Sequence, residues 1–287
     1  MEDSAITKPV LLILGGTGEA KSFCIRLLEA LDHNRINVIY SVAGVVRIPK
    51  LSCEVISGGF TPHGGLKTFI KDKGVQAILD LTHPYAETMS STATTVAQAM
   101  DIAYLRYERM PWTPINSAEV DGGLWREFNA FETLTAALDE KLDDGKRILL
   151  TIGQLDLFWE SWLAGKTEAH QQQVFIRSAV AQKRTVNLHC DSWTDIGPFT
   201  EEQEYKLFID KHIDVLVTKN SGGQGTKGKI TVARSLGLPI YLIARPKAGG
   251  LKAGVLPNQH KWLKTENIEV MMSYTQQLVD EIVNNEI

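Results

Sequence analysis

The 287-residue sequence predicts an α/β protein built of two doubly wound parallel-sheet halves. Three observations predict it. Short, wholly apolar runs alternate with segments whose apolar residues recur at helical spacing. A glycine-rich turn follows the first of these runs. The alternation breaks at Trp112-Thr113-Pro114-Ile115-Asn116, an irregular stretch marked by Pro111 and Pro114, and then resumes.

Val10–Leu14 is apolar on both faces, which suits a strand covered by helices on each side. Glu19–Leu31 places Phe23, Leu27, Leu28 and Leu31 on one helical face. Asn37–Val42 is β-rich and ends at Ala43-Gly44. Pro62–Lys73 reads as a helix stopped by Gly74, and Val75–Leu81 as a strand. Pro84 marks the start of the next helix, continuing through Ala86–Met100 to a strand at Ile102–Tyr107. Beyond the break, helices are expected at Phe131–Leu142, Leu155–Leu163, Glu201–His212, Thr226–Leu236 and Glu266–Asn284. Strands are expected at Arg147–Ile152, Gln173–Val180, Val215–Thr218 and Pro239–Ala244. The domain boundaries follow as residues 1–116 and 117–287.

Thirty Lys and Arg against 34 Asp and Glu give a formal charge of −4, which argues against a protein held mainly by nucleic-acid phosphate. No apolar run approaches the roughly 20 residues of a membrane span. Met1–Lys8 is polar and carries two acids, unlike a signal peptide. Cys24, Cys53 and Cys190 form no CxxC pair and read as reduced thiols of a cytoplasmic protein, with no metal site. The oligomeric state stays open, and a monomer is compatible with the sequence.

Gly15-Gly16-Thr17-Gly18-Glu19 joins the first strand to the first helix. Free N–H groups at a helix N-terminus attract phosphate, and glycine lets it approach. The full G-x-G-x-x-G fingerprint is incomplete, because Lys21 stands at its sixth position; a plain strand-to-helix turn would use the same residues. The second strand ends without the acid that usually holds an NAD ribose. Ser41 and Arg47 there suit a 2′-phosphate, pointing to NADPH with NADH as the alternative, although Arg47 would also serve as a surface arginine. Asp80-Leu81-Thr82-His83-Pro84-Tyr85 ends the strand at 75–81, where parallel sheets bind ligands. Thr82 or His83 could cap the following helix, and His83 could contact a cofactor or move a proton. Lys219-Asn220-Ser221-Gly222-Gly223-Gln224-Gly225-Thr226-Lys227-Gly228-Lys229 combines three lysines with four glycines, as a polyanion site requires. From Gly223 it nearly spells a Walker A loop, but Ile230 replaces the metal-binding hydroxyl, so a P-loop phosphotransferase is set aside.

These motifs, in this order, resemble the precorrin-6A reductase / cobalt-precorrin-6A reductase (CobK/CbiJ) family. The resemblance is carried by Leu14-Gly15-Gly16-Thr17-x-Glu19, Ser41-x-Ala43-Gly44, Gly58-Gly59-Phe60, Asp80-x-Thr82-His83-Pro84-Tyr85-Ala86, Arg106-x-Glu108-Arg109, Val217-Thr218-Lys219-Asn220-Ser221-Gly222-Gly223 and Ala244-Arg245-Pro246. It implies two Rossmann-like domains with the active site in the cleft between them, and nicotinamide-dependent reduction of the C18–C19 double bond of a tetrapyrrole in cobalamin biosynthesis. It further implies that Gly15, Gly16, Thr17, Gly18 and Glu19 meet the cofactor. Ser41, Ala43, Gly44 and Arg47 would lie near its ribose, with Thr82 and His83 near the reaction centre. The family's macrocycle would face Lys219, Asn220, Ser221, Gly222 and Gly223; the rest of this cationic loop, with Thr226, Lys227 and Lys229, suits its acetate and propionate groups on charge grounds. His83, Tyr85 and Lys219 are the catalytic candidates. Three departures stand out: Val45, Gln154 and Ile196 occupy positions where the family commonly has arginine. Val45 bears on the choice between NADPH and NADH, and Gln154 and Ile196 motivate an alternative, a non-catalytic tetrapyrrole- or nucleotide-binding paralogue.

Overall fold

The computed structural model describes residues 8–31, 35–44, 48–182, 188–246 and 261–284. The chain divides into two compact units, Met1–Met110 with Pro246–Ile287, and Pro111–Arg245. The first unit opens with β1 (Val10–Leu14), α1 (Gly18–Ala30), β2 (Asn37–Val42), β3 (Glu54–Ser57), α2 (Leu66–Lys73), β4 (Val75–Asp80), α3 (Glu87–Met100) and β5 (Ala103–Tyr107). The second unit begins with α4 (Ser117–Asp121), β6 (Trp125–Phe128), α5 (Phe131–Asp143), β7 (Ile148–Thr151), α6 (Leu157–Ala164) and α7 (Glu168–Gln171). It continues through β8 (Val174–Ser178), β9 (Asp191–Thr194), α8 (Glu201–Asp210), β10 (Val215–Lys219), α9 (Gly228–Ser235) and β11 (Ile240–Ile243). The chain then returns to the first unit as β12 (Trp262–Thr265) and α10 (Ile268–Val283).

The first sheet has the order β3-β2-β1-β4-β5-β12, with every pairing parallel. This is the strand order of dinucleotide-binding Rossmann sheets, and the order reverses between β1 and β4. Alternation along β1 explains the double winding. Leu11 and Ile13 pack with Phe23 and Leu27 of α1 and Met271 and Leu278 of α10. Leu12 and Leu14 pack on the other face with Phe69 of α2 and Ala93 of α3. Full burial of each such leucine contributes about 1.5–3 kcal/mol.

The second sheet repeats this plan as β9-β8-β7-β10-β11-β6, again all parallel. Ile148 and Leu150 face Leu138 of α5 and Trp159 of α6, while Leu149 faces Phe208 of α8 and Ile230 of α9. Its order reverses between β7 and β10. The sixth strand comes from opposite ends of the two units: β12 follows its five partners in sequence, and β6 precedes its own.

The division differs from the expected boundary of 1–116 and 117–287. Residues from Pro246 rejoin the first unit, because β12 pairs with β5 and α10 supplies apolar side chains to the first core. The expected helix Pro62–Lys73 is a short 3₁₀ turn, Thr61–His63, separated by Gly64-Gly65 from α2. The helix expected from Thr226 begins at Gly228, after a 3₁₀ turn over Gln224–Thr226.

Candidate functional site

In the first unit, the turn after β1 is shaped by a tyrosine. Gly15 donates its N–H to the carbonyl of Ser41 at 2.8 Å, and a Cβ on Gly15 would run into the Tyr40 ring. Gly16 has φ +102°, a conformation side chains strain to adopt, and the space where its Cβ would stand is open. Its N–H donates to Tyr40 Oη at 3.2 Å. Thr17 caps α1: its Oγ1 accepts from Ala20 N at 3.0 Å and donates to Leu81 O at 3.1 Å, tying the turn to the end of β4. Gly18 then opens a helix of 13 residues, with clear space around its Cα. An open glycine turn at a helix N-terminus, at the point where strand order reverses, fits a pyrophosphate.

Glu19 occupies the first turn of α1, and its carboxylate pairs with Arg109 at 2.7 Å. Pairing matters here, because a bare carboxylate would compete with a phosphate for the helix terminus. Ser41 is buried at the end of β2, followed by exposed Ala43 and Gly44. Arg47 and Val45 lie outside the described residues.

The end of β4 carries a buried polar network that sequence reasoning did not assign to the site. Asp80 is fully buried. Its Oδ1 accepts from Arg106 Nη1 at 2.6 Å, Thr82 Oγ1 at 2.8 Å and Thr82 N at 3.0 Å, while Oδ2 accepts from Tyr104 Oη at 2.7 Å. Arg106 also donates to Thr82 Oγ1 at 2.8 Å. Burial, and then the Asp80 charge, raise the Tyr104 phenol well above its usual range. The network fixes Thr82 at the switch point. The sequence signal was an acid ending an otherwise apolar strand, which must find a cation on a neighbour.

Thr82 and His83 do not cap α3. That helix starts at Glu87 after Ala86, which makes no side-chain capping bond. His83 Nδ1 instead accepts from Tyr85 N at 3.3 Å, and the two rings lie 5.5 Å apart.

In the second unit, Lys219-Asn220-Ser221 leaves β10 in a loop held by side chains. Asn220 is buried, accepting from Trp112 N at 2.8 Å and donating to Trp112 O at 3.1 Å and Glu127 Oε1 at 3.2 Å. It therefore anchors the Trp112 backbone as a strand partner would. Arg245 donates to the carbonyls of Asn220 at 2.8 Å and Ser221 at 3.2 Å. Gly223 is buried and Gly222 half-buried. Burial lowers the Lys219 ammonium, and the Asp156 charge opposes that shift. Lys227 is exposed and Thr226 partly so.

Lys229 departs from the expected outward-facing cationic loop. The late start of α9 puts it in the first helical turn, where it is buried and donates to Thr151 Oγ1 at 2.8 Å. Burial, aided by Arg177 and opposed by Glu204, pushes its ammonium down to about 7. Arg177 and Glu204 form a buried pair at 2.8 Å. After β7, Gly153 has φ +90°, and Gln154 donates to Ala181 O at 2.6 Å. Among the described residues, no cluster of three or more His, Cys, Asp or Glu is placed to hold a metal, and no helix is long and apolar enough to cross a membrane.

Fold and site together define a two-unit doubly wound α/β protein whose first unit has the strand order and open glycine turn of dinucleotide-binding sheets. Residues 10–274 match the family described as precorrin-6x reductase CbiJ/CobK, and the chain belongs to that family. It is 33% identical over 248 residues to a precorrin-6A reductase of Sinorhizobium sp, covering 86% of this chain and 88% of that one. It is 27% identical over 243 residues to a cobalt-precorrin-6A reductase of Priestia megaterium, covering 83% and 91%. A solved structure of CobK precorrin-6A reductase superposes with a TM-score of 0.74 at 26% identity, covering 94% of this chain and 97% of that one. The chain is thus an oxidoreductase of a cobalamin-biosynthesis family, and the non-catalytic reading is not favoured.

Proposed function

We propose that the protein reduces the C18–C19 double bond of precorrin-6A with a hydride from NADPH, in the cytoplasm. Family membership over residues 10–274 carries this reading. The metal-free substrate is favoured over the cobalt form by the higher identity to the Sinorhizobium protein than to the Priestia one. The first unit is the dinucleotide unit in this reading, and the second the tetrapyrrole unit.

The residues of the first unit fit the dinucleotide on two structural grounds. Side chains are missing where phosphate would approach, at Gly16 and Gly18, and the Glu19 charge is already neutralised by Arg109. The end of β2 offers no carboxylate among Ser41, Val42, Ala43 and Gly44, which favours the 2′-phosphorylated nucleotide. When bound, the nicotinamide supplies the hydride. The chain's own residues then orient and protonate. Asp80 and Arg106 hold Thr82 in place, and Thr17 joins the glycine turn to the same strand end. His83 is the proton donor to the carbon beside the reduced one, with its ring set against Tyr85. In the second unit, Lys219 and Lys227 meet substrate carboxylates, while Lys229 supports the loop from inside.

The test incubates the full chain with precorrin-6A or its cobalt form and with NADPH or NADH. The expected result is loss of reduced-nicotinamide absorbance with a macrocycle gaining two hydrogens, fastest with NADPH and the metal-free substrate. No turnover in any of the four combinations overturns the proposal.

A further inference from the structure

We infer that Cys24 and Cys53 form a peroxide-reactive thiol pair that closes to an intramolecular disulfide between α1 and the residue leading into β3. The sulfurs stand 3.9 Å apart, although the residues are 29 positions apart in sequence. Cys24 is buried on the inner face of α1, and Cys53 is half-buried at the edge of the first sheet. Cys53 lines a cavity with Ser52, Glu54 and Lys73, which gives a small oxidant a route to its sulfur.

The environment divides the roles. The contact with the Cys24 sulfur and the Tyr40 backbone N–H lower the Cys53 thiol below its ordinary value. Burial and the Glu54 carboxylate oppose that shift without cancelling it. Cys24 is held protonated by the same contact and by burial. Cys53, half-buried at the cavity, is the attacking thiolate, and buried Cys24 is the resolving thiol. A low-pKa, accessible cysteine beside a resolving partner is the arrangement of redox-sensitive thiols.

The chemistry balances with hydrogen peroxide as oxidant. The Cys53 thiolate attacks one peroxide oxygen, the O–O bond breaks, and hydroxide leaves to take up a proton as water. The Cys24 sulfur then attacks the Cys53 sulfenic sulfur. The S–S bond forms, the S–O bond breaks, and the departing oxygen leaves as a second water carrying the Cys24 proton. Two thiols lose two electrons, and one peroxide becomes two waters. Loss of the thiolate at Cys53 also removes the charge that kept Cys24 protonated, which eases the second step. The sulfurs must close to a bond of about 2 Å. Cys53 can supply that movement, because it precedes an edge strand of only four residues.

The pair lies under the glycine turn. Tyr40 Oη accepts the Gly16 N–H, its ring fills the space beside Gly15, and its backbone N–H faces Cys53. Closing the disulfide pulls on α1 and on the strand-edge residue beside Tyr40. Resting on the assignment of this turn to the dinucleotide, oxidation is expected to weaken NADPH binding severalfold, and dithiothreitol to restore it.

The experiment treats the reduced full chain with stoichiometric hydrogen peroxide and follows it by intact mass and peptide mapping. Wild type should lose two hydrogens and yield one cross-linked pair of peptides carrying Cys24 and Cys53. Cys190, whose thiol burial pushes up to about 11, should stay reduced. Cys24→Ser should stop at a Cys53 sulfenic acid trapped by dimedone, and Cys53→Ser should give neither product. A wild-type protein that gains oxygen without cross-linking, or that oxidises first at Cys190, overturns the pair. NADPH titration of reduced and oxidised wild type is the second arm. Equal affinities overturn the coupling to the turn, whereas absent binding by the reduced protein counts against the dinucleotide assignment and leaves the cross-link result standing.

Discussion

The two units place a glycine in the left-handed region two residues beyond the first central strand: Gly16 after β1, with φ +102°, and Gly153 after β7, with φ +90°. They share a strand order and a switch point, yet the chemistry on each differs. In the first, α1 starts two residues after Gly16, and the space around Gly16 and Gly18 is open. In the second, α6 starts later behind Asp156, whose carboxylate already takes the N–H groups of Phe158 and Trp159. That terminus repels anions, and the cations that reach the surface there are half-buried Lys219 at the end of β10 and exposed Lys227 in the loop beyond it. One topology thus carries an open glycine turn in one unit and an acid-capped helix in the other, and the location of the helix cap decides which.

The largest effect that would break this comparison concerns the buried ion pairs beside each switch point. Asp80→Ala leaves Arg106 buried without its partner and should destabilise the protein by about 3–5 kcal/mol. Glu204→Ala strands Arg177 in the same way, but Lys229 beside it can release its proton, so a smaller loss is expected. Urea unfolding midpoints rank the two, and equal losses would mean that Lys229 gives no relief. Next in size is Gly16→Asp. Backbone strain at φ +102° costs about 1–3 kcal/mol, to which a negative charge at the helix terminus adds. NADPH affinity should fall roughly ten- to hundredfold, read by titration. Gly153→Asp should leave it unchanged.

The same contrast explains what the sequence revealed. Central strands were legible because both faces are covered: β1 is five buried apolar residues in a row. The four strands that escaped notice, β3, β6, β9 and β12, are the four sheet edges. Asp191-Ser192-Trp193-Thr194 and Trp262-Leu263-Lys264-Thr265 carry polar residues because one side meets solvent, so they show no apolar run. The glycine turn was legible because its conformation demands glycine locally. The Asp80 network was not, because Tyr104 and Arg106 reach Asp80 from 24 and 26 residues away. The burial of Lys229 was not legible, because it depends on Thr151, Arg177 and Glu204, which other elements bring to it from 78, 52 and 25 residues away.

Lys229 also gives the second unit a pH signature. Burial lowers its ammonium from 10.5 to about 7. Below pH 7 both folded and unfolded chains hold the proton, and the folded state bears the full cost of burying it. Between about 7 and 10.5 only the unfolded chain holds it, so stability rises with pH, by at most about 1.4 kcal/mol per unit. Lys229→Met removes this slope. The stability difference between variant and wild type should be largest at pH 6.5 and shrink by pH 9. A difference that stays constant across that range would show the lysine to be charged in the folded protein.

The smallest effects separate the two outward lysines. Lys219 is half-buried at the end of β10, so its ammonium meets a partner in a partly desolvated place. Lys219→Ala should raise the KM for the tetrapyrrole by roughly tenfold and leave NADPH affinity unchanged, as loss of one charge-assisted hydrogen bond predicts. Lys227 is exposed, and an exposed ion pair contributes only about 0–1 kcal/mol. Lys227→Ala should therefore raise that KM no more than about fivefold, and added salt should erase the difference. If Lys219→Ala altered NADPH affinity and spared the tetrapyrrole, the glycine turn and the Lys219 loop would serve one ligand, and the division of labour between the two switch points would fall.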